Sequence, residues 1–355
     1  MLRHFPYILI YCLIQVSGFS LYAQSQLPDV YGYRHLQTTF RGDTVDILIK
    51  SKKGEEQVRK PLFLFCQGSL PQPLLVRYEQ NGQTAVIPAF VFNPDSLAQY
   101  YHLAIIGKAY VPLVADERNL GPDMAYKDST GLFPRKYLER YYLDYYVDRN
   151  LAVIKFLQKQ PWIARSPLVV AGHSEGSTVS AKMAMRSKSI THLIYSGGNP
   201  QGRMLTLIER ERAHEKDSTS GTGALFSRWE KITANPQNMD FSAGDTYKVT
   251  HDFSDPPAAY LSRLKIPVLI TFGTRDAGVP YLDMFRIDMV RRHKQNFNYR
   301  EYIGTEHNYF PLKPNGEPDY DVFNWDKVAE DWRQWLLTQR PLPTLNLPPS
   351  RPSNK

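Results

Sequence analysis

Short apolar runs alternating with amphipathic segments predict an α/β chain: a mostly parallel sheet, helices on both of its faces, and an inserted cap. Three observations carry this expectation. The runs at 61–66, 167–171 and 266–273 are apolar without alternation, as expected of strands buried on both faces. Between them, apolar residues recur at helical spacing, most clearly at Leu143, Val147, Leu151, Ile154 and Leu157. From Arg203 to about Pro257 the texture turns charged and polar, with a Ser-Thr-Ser-Gly-Thr-Gly run beginning at Ser218, which reads as the inserted cap at about 200–260.

The elements follow in order. Arg3 and His4 precede a mostly apolar stretch, 5–21, and Leu21-Tyr22-Ala23 resembles a cleavage site before Gln24, so residues 1–23 read as an export signal. Gln15, Ser17 and Gly18 interrupt the stretch, which argues against a permanent membrane span once the signal is removed. The mature chain is expected to be periplasmic or secreted. Cys12 leaves with the signal, and Cys66 is then the one remaining cysteine, read as a small core residue rather than a reactive thiol. The chain has 355 residues and a formal charge of +8, which removal of Arg3 lowers by one. Lys and Arg are scattered, and neither a Gly-rich phosphate loop nor zinc-type cysteine spacing occurs, so no nucleic-acid partner is expected.

Residues 44–49 alternate like a half-exposed strand, and the buried strand 61–66 runs straight into the loop 67–71. A helix is expected from Pro94-Asp95 to about His102, and a strand region over 103–114, broken at Gly107 and Pro112. Pro134 opens a long helix that Pro161 ends, followed by the strand 167–171, a helix over 177–186 and a strand over 190–196. After the cap come the strand 266–273, a helix over 281–294, a strand over 297–303 and a helix over 321–338 bearing Trp325, Val328, Trp332 and Trp335. The tail, 340–355, is Pro-rich and expected to be flexible; the main domain is 24–339.

Chemistry concentrates at Gly172-His173-Ser174-Glu175-Gly176. A strand, Gly-x-Ser-x-Gly and a helix make a nucleophile elbow, a turn tight enough to demand glycines beside the serine and to push its Oγ outward. A serine hydroxyl needs a base and an orienting carboxylate. Asp276, in Gly273-Thr274-Arg275-Asp276, follows a buried strand and so lies at the sheet edge that carries Ser174; it also reads as a turn aspartate capping the next helix. His307, in the segment Gly304 to Phe310, follows the strand after that, whereas His102, His192, His251 and His293 lack such placement. Glu175 reads as solvent-facing or paired with a base from the cap, with a minority role in holding a substrate amine. His173 is expected to pack the elbow, and Tyr195, Tyr281 and Tyr309 to serve packing before pocket lining.

On these residues the chain resembles the α/β-hydrolase superfamily, with spacing similar to serine esterases and to the catalytic domain of prolyl-oligopeptidase-type peptidases, over roughly 44–338. The resemblance implies Ser174 as nucleophile, His307 as base then acid, and Asp276 as orienter of the imidazole. It implies backbone oxyanion donors at Glu175 and at Ser69 or Leu70; here Cys66-Gln67-Gly68-Ser69 stands where many members begin the loop with His-Gly. The implied activity is hydrolysis of a carboxylic ester through an acyl-enzyme, without metal or organic cofactor, on a small-molecule or peptide acyl substrate. The runner-up is a peptidase or amidase, and a non-catalytic binding protein on the same scaffold is the alternative of another class.

Overall fold

The computed structural model describes residues 28–80, 83–216, 220–241 and 244–339; the expected signal (1–23) and tail (340–355) lie outside the described residues. The strands of the main sheet are β1 (Tyr33–Phe40), β2 (Asp43–Lys50), β3 (Lys60–Cys66), β6 (His102–Ile106), β8 (Ile163–His173), β9 (His192–Ser196), β10 (Val268–Gly273) and β11 (Phe297–Tyr302). Their order in space is β1-β2-β6-β3-β8-β9-β10-β11. β1 pairs antiparallel with β2, and β2 antiparallel with β6, while β6, β3, β8, β9, β10 and β11 form a continuous parallel run. The loops leaving β3, β8, β9, β10 and β11 therefore emerge at one edge.

The apolar runs explain the two-sided core. Along β3, Leu62, Leu64 and Cys66 face one layer and Phe63 and Phe65 the other, because successive side chains point to opposite faces. The first layer is closed by α3 (Leu143–Leu157), α4 (Glu175–Arg186) and α9 (Val279–Arg291), through Val147, Ile154, Val179, Met183 and Phe285 among others. The second is closed by α1 (Asp95–Ala98) and α10 (Trp325–Gln339), with Trp332 fully buried edge-on to Phe92. Each fully buried Leu or Phe contributes about 1.5–3 kcal/mol, so the two layers carry most of the stabilisation.

Several boundaries differ from expectation. β1 has no apolar alternation and is held by pairing with β2 along its whole length. The expected strand over 103–114 splits: β6 stays in the main sheet, and β7 (Val114–Asp116) joins the hairpin β4 (Leu75–Gln80) and β5 (Gln83–Pro88) in a separate sheet ordered β5-β4-β7. The helix expected to 102 stops at Ala98, since His102 starts β6. The long helix from Pro134 breaks into α2 (Arg135–Arg140) and α3, with Tyr141 and Tyr142 in non-helical geometry between them. α10 begins at Trp325 rather than Asp321.

Between β9 and β10 lie α5 (Arg203–Ala213), α6 (Thr222–Ala234), α7 (Tyr247–Ser254) and α8 (Ala258–Leu261), which occupy the expected cap region. α5 packs against α6 and α7, and the Thr246 hydroxyl caps α7 by accepting from the Val249 N–H at 3.1 Å. Among the described residues no helix is long and apolar enough to cross a membrane.

Candidate active site

β8 ends at His173 and α4 begins at Glu175, leaving Ser174 alone in the turn with φ 56° and ψ −125°. A positive φ is costly for a residue with a side chain, and here the surroundings enforce it. A Cβ on Gly172 would fall 2.0 Å from the Gly176 carbonyl oxygen, and one on Gly176 would fall 2.1 Å from that of Cys66. Only glycine fits either position. The Ser174 N–H donates to the Ser196 carbonyl at 2.9 Å, and its own carbonyl accepts from the Ser177 N–H and hydroxyl, so the turn is pinned on both sides.

The structure brings Ser174, His307 and Asp276 together. The Ser174 hydroxyl meets His307 Nε2 at 2.9 Å, and His307 Nδ1–H donates to Asp276 Oδ2 at 2.6 Å. Asp276 Oδ1 accepts the Gly278 N–H at 3.0 Å, so it also caps the turn before α9, as the alternative reading of that residue expects. Burial raises the pKa of the Asp276 carboxyl, but hydrogen bonding and the charge of His307 outweigh it and hold the group below its ordinary value. Glu306 shapes the histidine loop, its carboxylate accepting from the N–H groups of Asn308 and Phe310.

Behind this relay lies a second polar chain. His173 is buried; its Nδ1 lies 2.9 Å from the Ser196 hydroxyl and its Nε2 3.3 Å from Asn308 Oδ1. Ser196 in turn meets the Tyr309 hydroxyl at 2.6 Å, and that hydroxyl lies 2.9 Å from Thr271 Oγ1. Burial pushes His173 down to about 3, so it stays neutral and packs the elbow, with its ring centroid 5.0 Å from that of His307. Tyr309 and Tyr195 are buried in the core, and Tyr281 donates to Glu209. None of the three lines the cleft, nor do His102, His192, His251 or His293.

The cleft above Ser174 has a volume of about 290 Å³. Ser69 and Leu70 border it on one side, Phe133 and Tyr137 form an apolar wall, and the cap contributes Arg203, Thr206, Leu207 and Arg210 from α5. Those four cap residues recur at helical spacing, so one face of α5 roofs the cleft.

Glu175 differs from one of its expected settings: it is buried, not solvent-facing. Its Oε2 accepts from the Tyr141 hydroxyl at 2.6 Å and from the Arg203 guanidinium, so its partner is indeed a cap base. Arg203 also binds Asp245 at 2.9 Å. Lys108, which no motif marks, is buried 3.7 Å from Glu175 Oε1 and donates to the Gly68 carbonyl at 2.6 Å. Burial pushes this ammonium down to about 8, against the opposing pull of Glu175. Cys66 is buried, and burial pushes its thiol up to about 12, the behaviour of a core residue. Among the described residues no cluster of three His, Cys, Asp or Glu side chains is placed to hold a metal.

No family model matches the sequence, and no curated protein matches it. Solved structures do match in shape. The acylaminoacyl peptidase of Pyrococcus horikoshii aligns with a TM-score of 0.52 at 13% identity, over 85% of this chain and 41% of that one. This chain thus spans about two fifths of the peptidase's length. A 2,6-dihydroxy-pseudo-oxynicotine hydrolase aligns at 0.52 and 14% identity, over 87% and 70% of the two chains. Est1E from Butyrivibrio proteoclasticus, solved with ferulic acid bound, aligns at 0.50 and 16% identity, over 86% and 98%. Together with the parallel sheet and its crossovers, these likenesses give the chain the α/β-hydrolase fold.

Proposed function

We propose that this chain is an exported serine hydrolase that cleaves a carboxylic ester through an acyl-enzyme. The observation that carries the reading is the relay itself: a serine in a strained turn, 2.9 Å from an imidazole that a buried carboxylate orients at 2.6 Å. In the proposed reaction His307 Nε2 takes the hydroxyl proton as Ser174 Oγ attacks the carbonyl. Asp276 fixes the Nδ1–H tautomer and stabilises the imidazolium. Backbone N–H groups of Glu175 and of the 69–70 loop hold the developing oxyanion. His307 then passes the proton to the departing alcohol, and water, deprotonated by the same imidazole, releases the acid. No step calls on a metal or an organic cofactor. The cap supports the choice of a small substrate, because α5 roofs a cleft of about 290 Å³. The N-terminal sequence supports export.

A peptidase or amidase is the second reading, favoured by the likeness to an acylaminoacyl peptidase. The deciding experiment labels folded protein with a fluorophosphonate and compares nitrophenyl esters with aminoacyl anilides. Ser174 is expected to label, the Ser174→Ala variant to stay unlabelled, and the esters to turn over faster. Turnover of anilides alone moves the assignment to a peptidase, and failure to label Ser174 moves it to a binding protein.

A further inference from the structure

We infer that Lys108 is a positioning residue that fixes the Ser69 N–H as the first oxyanion donor. The inference rests on the proposed serine mechanism. The Gly68–Ser69 peptide is trans, so its carbonyl and its N–H point in opposite directions within one plane. Lys108 Nζ holds the Gly68 carbonyl at 2.6 Å from the interior side, where it borders a small chamber with Cys66, Gln67, Tyr146, Arg149 and Asn150. The Ser69 N–H is thereby turned the other way, toward the cleft that Ser69 and Ser174 both line. A Cβ built on Gly68 would lie 3.8 Å from Ser174 Cβ, so the loop is within reach of the attacked carbonyl. The next peptide is set differently. Tyr137, a cleft-wall residue, donates its hydroxyl to the Ser69 carbonyl at 3.0 Å, which turns the Leu70 N–H away from that wall.

Lys108 is held in turn by the carboxylate of Glu175, the residue whose own N–H is the other donor. One buried ion pair therefore ties both halves of the oxyanion site together. It also sets a cation beside a carboxylate that would otherwise oppose negative charge developing nearby.

The test uses a trifluoromethyl ketone, which adds Ser174 and presents an oxyanion, alongside steady-state kinetics. Lys108→Met is expected to lower kcat by about a hundredfold at little changed KM, and to weaken the ketone by a similar factor. Lys108→Met/Glu175→Gln removes the pair without stranding a charge and is expected to show the same loss. Tyr137→Phe is expected to lose less than Lys108→Met. Full ketone affinity in both Lys108 variants, or a larger loss in Tyr137→Phe, overturns the inference and makes Leu70 the donor. Wild-type protein that forms no ketone adduct would instead remove the serine mechanism beneath it.

A separate observation bears on the substrate. We propose that Arg210 recognises a carboxylate on the ester. The other charged groups of the cleft are engaged: Asp276 with His307, and Glu175 and Asp245 with Arg203. Among the described residues Arg210 alone of the cleft's charges has no ionic partner, and it shares the roofing face of α5. A guanidinium suits a planar carboxylate, which it can bind through two parallel N–H donors. The test compares p-nitrophenyl hemiglutarate and the butyrate ester of 4-hydroxybenzoate with p-nitrophenyl butyrate. Wild type is expected to favour a charged ester, and Arg210→Ala to cut the charged-to-neutral ratio of kcat/KM about tenfold. A ratio unmoved by the substitution overturns the proposal.

Discussion

Two polar networks meet at Ser174, and they are built in opposite ways. The Ser174–His307–Asp276 relay hangs on three loops at the ends of parallel strands, two of them apolar runs (β8 and β10) and the third the polar edge strand β11. The Lys108–Glu175–Arg203 cluster lies deeper and joins a core loop, the elbow helix and the cap. In the proposed mechanism the relay transfers protons, whereas the cluster fixes where the backbone donors and the cap sit. Loss of a relay member should therefore cost activity with little stability, and loss of a cluster member should cost both.

The largest effect tests the relay. Asp276→Asn keeps the shape but changes which imidazole nitrogen carries the proton, and is expected to lower kcat by about 10⁴-fold. Urea unfolding checks that the fold survives; a loss below tenfold would mean that Asp276 serves the turn before α9 and not His307.

The cluster is tested by stability. Arg203→Met leaves Glu175 buried with Tyr141 and Lys108 as remaining partners and is expected to cost about 3 kcal/mol in urea unfolding. A loss under about 1 kcal/mol would place the pair among weak surface contacts and free the cap from it.

The smallest effect is a slope. Burial pushes His102 down to about 4 and His173 to about 3, both below the ordinary value of 6.5. Between about pH 6.5 and 4 the unfolded chain binds protons that these two refuse when folded, so stability falls as pH drops. Each contributes about 1.4 kcal/mol per pH unit over that window. His102→Asn, which removes the bond to the Val58 carbonyl, is expected to cut the slope by one such share, measured by urea unfolding at several pH values. An unchanged slope would mean that His102 is protonated in the fold.

The same contrast explains what was legible. The parallel sheet, the elbow and the three residues that meet at Ser174 each leave a local mark, because apolar runs set strands and glycines set tight turns. β1 leaves none, since pairing with β2 and not alternation holds it. The hairpin β4–β5 and the break at Tyr141 depend on tertiary packing. Lys108 is the clearest case: in sequence it is one lysine among many scattered cations. Only the return of β6 beside β3 brings it under the Gly68 carbonyl. Glu175 was half legible, its pairing with a cap base foreseen and its depth not.

The wedge of Gly176 against the Cys66 carbonyl has a mechanical consequence. With no room for even a methyl group, the start of α4 and the end of β3 act as a single block, and under the proposed mechanism the attacking oxygen and the stabilising amides ride on it together. An alanine at 176 would act as a crowbar, prising the 67–71 loop off the helix and spoiling alignment without touching a single reacting group.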